Sequence, residues 1–195
     1  ITKDSIVQLN QITQPSSGFK ENLADRRVTA TVKVQSQTCS VIGNRRQLVE
    51  DGTTKPGYWV VTDSTDTLGA HLYVAHGFTD QIVQAKQVCA DRAKDENAKT
   101  FQPIIGRYEP TEEPQPAESG EFKSFSIPQL INVHHAKPIS VYGGFVVMES
   151  SGFDPRLQSI LIGVKSSDAQ VNLLNAFYAI EWAIFAGFAL FLWYR

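Results

Sequence analysis

The amino-acid sequence predicts an α+β protein, with a mainly antiparallel β domain outside the cytoplasm, one or two short helices, and one C-terminal transmembrane helix. Three observations lead to this prediction. Short runs alternate apolar and polar residues with the period of two that half-buried strands have. Clusters of glycine, proline and polar residues separate these runs, and the C-terminal segment is almost wholly apolar. We expect residues 1–164 to form the domain, 165–172 a linker, and 173–194 the helix.

The composition limits the size of the core and the kind of partner. With 195 residues, the chain is long enough for one hydrophobic core of moderate size. The formal net charge is -2 and the sequence pI is about 6.1. The chain lacks the strong positive charge that attracts nucleic acids, so we expect no nucleic-acid partner.

Four strands are expected in the first half of the chain. In Arg27–Gln35, the sequence RVTATVKVQ places valine and alanine on one side and threonine and lysine on the other. Gly43-Asn44 is expected to end the second strand, and the segment DGTTKPG before the third is typical of a turn. The strands expected after the first are Ser40–Ile42, Tyr58–Thr62 and His71–Phe78.

Helices and further strands are expected in the second half. Thr79 or Asp80 is suited to begin a helix that reaches about Ala93, because these side chains accept hydrogen bonds from free backbone N–H groups. Pro128 is suited to open a second, short helix, where its missing N–H is not needed. Strands are expected at Phe101–Tyr108 and Ile139–Met148 and an acidic, proline-rich loop at Pro110–Gly120, while periodicity leaves the class of Arg156–Val164 open.

The two cysteines, Cys39 and Cys89, lie too far apart in the sequence for a metal or redox motif. Outside the cytoplasm they are free to pair, and a disulfide that closes a loop of this length stabilises a fold by about 4 kcal/mol in the chain-entropy picture. We expect a Cys39–Cys89 disulfide, with two separately buried thiols as the alternative.

The segment Leu173–Tyr194 is long enough, as a helix, to cross the hydrocarbon core of a bilayer. Trp193 and Tyr194 stand where an aromatic belt is expected, and Arg195 favours a C-terminus on the cytoplasmic or matrix side. The alternative is a buried core helix of a soluble protein. Because the chain opens at Ile1 without a basic, apolar leader, we expect that an N-terminal transmembrane helix is missing upstream.

Glu181 is the acidic residue of this apolar segment, and an ionised carboxylate near the bilayer centre costs about 2–3 kcal/mol. It should therefore face protein, be protonated or reach toward water. It is a candidate contact with a membrane partner, and a position shallow enough to snorkel is the alternative. Small residues permit another helix to pack closely. The predicted partner contacts in the membrane are Glu181, Trp182, Ala183, Ala186 and Gly187.

Signatures of catalytic or metal sites are weak in this sequence. There is no G-x-S-x-G turn, P-loop or dinucleotide fingerprint, so we expect no enzyme, no catalytic residue and no metal site. His71 and His76 are expected to face opposite sides of a strand because their spacing is odd, and His134-His135 are adjacent. Surface or core histidines are the preferred interpretation.

Several charged residues are expected to have structural roles and no role in a functional site. Asp63 and Asp66 are expected in a turn, and Glu112-Glu113 in the acidic loop. Arg45-Arg46 is expected to be a solvated pair, with contact to an acidic partner or to lipid headgroups as the alternative.

The motifs resemble those of the SURF1 family. Gly57–Thr62 (GYWVVT), followed by Leu72–Phe78 (LYVAHGF), is similar to the family pair in which G-Y-x-V-V-T precedes L-V-N-R-G-W. Ile105–Tyr108 stands where the family has a V-x-G-x-L strand. Asn175–Trp182 matches the closing H-L-x-Y-A-x-x-W helix at Tyr178, Ala179 and Trp182.

This resemblance implies two membrane helices around an extracytoplasmic domain and a role in cytochrome c oxidase biogenesis, near haem a insertion. Two departures matter. Ala75-His76 replaces the family's Asn-Arg, and Asn175 replaces the histidine that is linked to haem in the family. An amide is a poor ligand for haem iron, so we expect no bound cofactor and a stable association in preference to haem transfer.

The expected function is therefore that of a non-enzymatic membrane protein associated with cytochrome c oxidase. It would act as an assembly factor or as an accessory subunit of a respiratory complex or supercomplex, with oxidase subunits and the lipid bilayer as partners. The expected location is a bacterial plasma membrane or the inner mitochondrial membrane. The alternative is a membrane-anchored carrier of haem or another small ligand.

Overall fold

The computed structural model describes residues 4–35, 38–48, 52–92, 94, 100–116, 121–134, 140–150, 154–161 and 173–195. Within the last range, side chains are described at 181, 182 and 184–195. The chain divides into two compact units, Ile1–Leu161 and Ile162–Arg195. Each unit is described by itself.

The first unit is built on a seven-stranded sheet with short helices beside it. Its strands are β1 (Val7–Gln8), β2 (Arg26–Val34), β3 (Ser40–Leu48), β4 (Thr54–Asp66), β5 (His71–Thr79), β6 (Gln102–Pro110) and β7 (Gly144–Met148). Its helices are α1 (Leu9–Ile12), α2 (Ile82–Arg92) and α3 (Ile127–Val133), with a 3₁₀ turn at Glu21–Leu23. This is the mainly β, α+β class that the sequence predicts.

The sheet closes on itself through β2. The strand order is β1-β2-β6-β7-β5-β4-β3, and β2 also pairs with β4. In this second pairing, Val32 lies opposite Asp66 and Val34 opposite Ser64. Because β2 pairs with β6 at its start and with β4 at its end, the strands β2, β6, β7, β5 and β4 form a ring, which shields most strand edges.

The inward face of this ring holds one apolar cluster. Period-two alternation places every second residue of each strand inside, as with Leu72 and Val74 of β5. The buried members of the cluster are Leu9, Leu23, Val28, Ala30, Val32, Ala70, Leu72, Val74, Ile104, Tyr108, Tyr142 and Val146.

The two longer helices of this unit cover other parts of the sheet. Helix α2 packs Ala85 and Val88 against Val60 of β4 and Leu157. Beside α3, the rings of Phe125 and Phe145 stack with centroids 3.7 Å apart. Residues on both faces of β5 and of the second half of β4 are buried.

Two predicted turns are in fact strand. Strand β3 continues through Asn44 to Leu48, with a register shift between Ile42 and Arg45. Asn44 has a φ of +55°, a backbone conformation that asparagine tolerates, so it forms a bulge and does not end the strand. Strand β4 begins at Thr54, within the predicted turn DGTTKPG, where Gly57 allows the Phe78 ring to approach closely.

Other expectations need smaller corrections. The strand expected at Ile139–Met148 is shorter, because β7 begins at Gly144 and Val141 makes only an isolated bridge to His71. Most strand pairs are antiparallel as expected, but β1–β2 and β5–β7 are parallel. The strands β2, β5 and β6, the helix α2 and the short helix near Pro128 are confirmed within a few residues.

The second unit contains the helix α4 (Leu173–Tyr194), whose bounds match those predicted for the C-terminal helix. A search of the described residues identified no helix with both the length and the apolar character that a membrane crossing needs. The membrane-spanning assignment stays a prediction.

Candidate functional site

A buried carboxylate lies on the outward face of β4, the strand face opposite to that of Thr62 and Ser64. Asp63 pairs with Tyr73 of β5 in the strand register, and its side chain is only 1% exposed. Nδ1 of His71 donates a hydrogen bond to Asp63 Oδ2 at 2.8 Å. Burial raises the pKa of the Asp63 carboxyl, although the hydrogen bond and the charge of His71 act against this rise. Asp63 is therefore not the turn residue that the sequence predicts.

His134 lies directly after α3 and ties the end of this helix to β3. Its Nε2 is 2.9 Å from Oγ of the buried Ser40. Burial lowers the pKa of His134, and the charge of Asp63 partly opposes this effect. The imidazole is therefore neutral at neutral pH. We define the four residues Ser40, Asp63, His71 and His134 as the polar cluster.

A serine beside a neutral histidine is also the arrangement of a nucleophile and its base. Here the geometry is incomplete. Nδ1 of His134 has no hydrogen-bond partner in the part of the chain that the structure describes, whereas the Asp63 carboxylate is bonded to His71. Ser40 is itself buried. Among the described residues, no carboxylate is hydrogen-bonded to Nδ1 of His134, so the polar cluster lacks the third group that orients the base in a catalytic triad.

His76 lies on the opposite face of β5 from His71, as the odd spacing predicts. Its Nε2 is 2.7 Å from Thr62 Oγ1, and its Nδ1 is 3.1 Å from Met148 Sδ. Since a thioether sulfur only accepts, Nδ1 carries the proton and Nε2 accepts from the hydroxyl. Complete burial, with a smaller effect of the Arg92 charge, lowers the pKa of His76 to about 3. His76 is thus a neutral core histidine.

Arg45 is not the solvated residue that the sequence predicts. Its guanidinium binds both carboxylate oxygens of Glu112, at 2.7 and 2.5 Å. It also lies over the ring of Trp59, with 4.6 Å from the guanidinium carbon to the centroid. The side chain is only 11% exposed, so this contact holds the acidic loop against β3 and is unavailable to a partner.

The glycines of the motif strands permit close packing. A Cβ at Gly57 would lie 2.5 Å from the Phe78 ring, and one at Gly77 would lie 2.7 Å from Leu157 Cβ. A Cβ at Gly106 would collide with the carbonyl oxygen of Val147. These glycines therefore bring the strands and the segment after β7 together.

The predicted disulfide is present. Cys39 and Cys89 are joined with Sγ–Sγ 2.02 Å and Cα–Cα 5.2 Å. The bond ties α2 to the residue before β3, next to Ser40 of the polar cluster.

The predicted membrane contacts lie on α4. Glu181, Trp182, Ala186 and Gly187 are exposed, Trp182 to 74%. The side chains of Asn175 and Ala183 lie outside the described residues. Whether these residues contact a partner stays a prediction.

No group of three or more histidine, cysteine, aspartate or glutamate side chains is placed to hold a metal among the described residues. His135 lies outside them. One pattern in the sequence could have indicated that Asp63 of the polar cluster lies in a strand. The alternation of Trp59, Val61 and Asp63 continues the strand, but the polar run TDSTD that follows Val61 resembles a turn.

Comparison with known proteins gives one match. The model of the SURF1 family matches residues 2–187, which include the first unit and most of α4. This match confirms the resemblance that the motifs indicate. No curated protein and no solved structure matches the chain.

Proposed function

The chain belongs to the SURF1 family, and on this premise we propose that it is a non-enzymatic membrane protein associated with cytochrome c oxidase. It acts as an assembly factor or as an accessory subunit of a respiratory complex or supercomplex. One observation carries the proposal: the family match covers residues 2–187, and the SURF1 family is associated with cytochrome c oxidase assembly.

Membrane attachment is proposed through α4. SURF1 family proteins are membrane-associated. The large apolar side chains of the C-terminal half of α4, among them Phe188 and Leu190, are mostly exposed. A surface of this kind is stable in lipid or against an apolar partner. Trp193 and Tyr194 then mark one membrane interface, and Arg195 favours a cytoplasmic or matrix side for the C-terminus.

The disulfide supports a location of the first unit outside the cytoplasm. Disulfides such as Cys39–Cys89 persist in oxidising compartments and are rare where thiols are kept reduced. The proposed locations are the outer side of a bacterial plasma membrane and the intermembrane side of the inner mitochondrial membrane.

Co-purification tests the association. The tagged chain is extracted in mild detergent, and the bound proteins are identified by mass spectrometry. An unrelated tagged membrane protein from the same cells is the control. We expect oxidase subunits with this chain and not with the control. A chain that always migrates alone would contradict the proposal.

A second candidate function is that of a carrier for haem or another small ligand. One observation favours it: a buried carboxylate holds Nδ1 of His71, and such a bond orients an imidazole for coordination through its other nitrogen. Haem is added to the purified protein, and the Soret band is recorded for the wild type and for single replacements of His71, His76, His134 and His135. A shift that His71→Gln abolishes supports this function, whereas an unchanged Soret band in the wild type removes it.

A further inference from the structure

Helix α4 has two different faces, and Glu181 belongs to the bulky one. At about 100° per residue, Ile184, Phe185 and Phe188 lie within about 60° of Glu181 around the helix axis. Their side chains are 66%, 59% and 60% exposed. Among the described side chains of α4, the carboxylate therefore stands at the N-terminal end of an exposed apolar surface, which we call the Glu181 face.

The small residues lie on the other side of the helix. Ala186 and Gly187 are turned from Glu181 by about 140° and 120°, and the large side chain of Leu190 lies on the same side, turned by about 180°. A Cβ at Gly187 would meet no described atom within 4 Å. The predicted membrane contacts are thus divided between two faces, and one straight partner helix cannot cover both.

The depth of Glu181 decides what must cover it, given the proposed membrane attachment. Tyr194 is thirteen positions further along, so Glu181 lies about 20 Å from the interface that Tyr194 marks. In a hydrocarbon core of about 30 Å, the opposite interface is then about 10 Å away. Lysine and arginine snorkel with long side chains, but the shorter glutamate does not reach water over this distance.

Resting on the proposed function, we propose that the Glu181 face binds a membrane helix of the oxidase that carries a basic side chain opposite Glu181. Charge complementarity identifies the occupant, because a carboxylate at this depth is stabilised by a cation and lipid tails offer none. Phe185 and Phe188, one and two turns further along the same face, then pack on the C-terminal side of the pair and exclude water from that side. The small-residue face is left for lipid or for a different helix.

Site-specific photo-crosslinking tests this inference in the full chain. Phe188 is replaced by p-benzoylphenylalanine, a close mimic, in the wild type and in the Glu181→Gln and Glu181→Leu variants. The same probe at Leu190, on the opposite face, is the matched control. Crosslinked peptides are identified by mass spectrometry, and oxidase co-purification and resistance to alkaline carbonate extraction are measured on the same membranes.

We expect the probe at position 188 to crosslink to an oxidase membrane segment that contains lysine, arginine or histidine. Its yield should fall about tenfold in Glu181→Leu and less in Glu181→Gln, while the yield from position 190 stays unchanged, because only the Glu181 face loses its charge. Equal yields from position 188 in the wild type and Glu181→Gln overturn the inference, as do crosslinks only to lipid, to a second copy of this chain, or to a segment without a basic residue.

Failure of the proposed function gives a different result. A chain that carbonate extracts, or one that lacks oxidase subunits in mild detergent, overturns the membrane association or the oxidase association and this inference with it. A chain that stays in the membrane and co-purifies with oxidase, but shows no effect of Glu181→Leu, overturns only the assignment of the Glu181 face.

Discussion

The buried histidine His76 should make the stability of the first unit fall steeply with acid. The folded state holds its pKa at about 3, whereas an unfolded histidine has a pKa near 6.5. Between these values the unfolded chain binds a proton that the folded chain does not, because complete burial, with a smaller effect of the Arg92 charge, disfavours the charged imidazole. Lowering the pH through this range therefore favours unfolding.

The magnitude follows from the gap of about 3.5 pKa units. At about 1.4 kcal/mol for each unit, the free energy of unfolding falls by up to about 5 kcal/mol by pH 3, and by about 2–3 kcal/mol between pH 6.5 and 4.5. Small domains are stable by about 5–15 kcal/mol. One histidine can thus account for a large part of acid unfolding.

Other ionisable groups contribute differently in this range. The pKa values of Asp80, Asp91 and Asp154 are lowered by hydrogen bonds from Lys55 or Arg156, so these carboxyls lose their contribution only below their ordinary pKa of 3.8. The raised pKa of Asp63 acts in the opposite direction, since the folded state holds this proton more tightly. The His76 contribution is therefore isolated by comparing variants between pH 4.5 and 6.5.

The assay is urea unfolding of the full chain in detergent, followed by circular dichroism at several pH values. His76→Gln keeps a polar side chain for Thr62 but does not titrate. We expect the wild type to lose about 2–3 kcal/mol relative to this variant between pH 6.5 and 4.5. His134→Gln is the control, and its difference from the wild type should be smaller, because His134 is less buried. Parallel pH curves for the wild type and His76→Gln would refute the reasoning.

Three further predictions use the same unfolding measurement. Asp63→Asn should gain stability relative to the wild type as the pH rises from 4, because burial raises the pKa of the native carboxyl and the amide does not ionise; a difference that does not change with pH would contradict this. Replacing Cys39 and Cys89 by serine should lower the free energy of unfolding by about 4 kcal/mol, as expected for a sequence separation of 50 residues, and reduced wild type should behave alike. Gly77→Ala should cost about 1–3 kcal/mol because its Cβ meets Leu157, whereas Gly18→Ala, with open space around it, should change little.

The strands could be predicted from the sequence because their signal is local. The alternation in Arg27–Gln35 and the aromatic and β-branched residues of Tyr58–Thr62 follow from having one buried face. The closure of the sheet could not be predicted, because the pairing of Val32 with Asp66 depends on residues far apart in the sequence. The bulge at Asn44 was mistaken for a strand end, since asparagine suits both.

The polar cluster shows a second limit of local patterns. The burial of Asp63 depends on its place in a sheet of strands that are distant in the sequence, and the charge that acts on its carboxyl from His134 comes from the residue after α3, far later in the chain. A carboxylate within TDSTD therefore resembles a turn residue until these distant neighbours are known. Asp66, three residues on, is the last residue of β4 and begins the turn to β5, where its Oδ1 accepts hydrogen bonds from the N–H groups of Leu68 and Ala70. Two aspartates in the same short polar run are thus in different environments: Asp63 is buried, and Asp66 is half-buried at a turn.

The motif residues that indicate the SURF1 family in β4 and β5 have packing roles in this fold. Gly57 and Gly77 admit neighbouring side chains, and Trp59 lies under Arg45. The departure at Ala75-His76 is also internal, because both residues are buried and His76 faces the ring interior. A residue inside the ring does not contact a partner. The substitution therefore changes the core and its acid sensitivity, and it leaves the proposed partner surface on α4 unaltered.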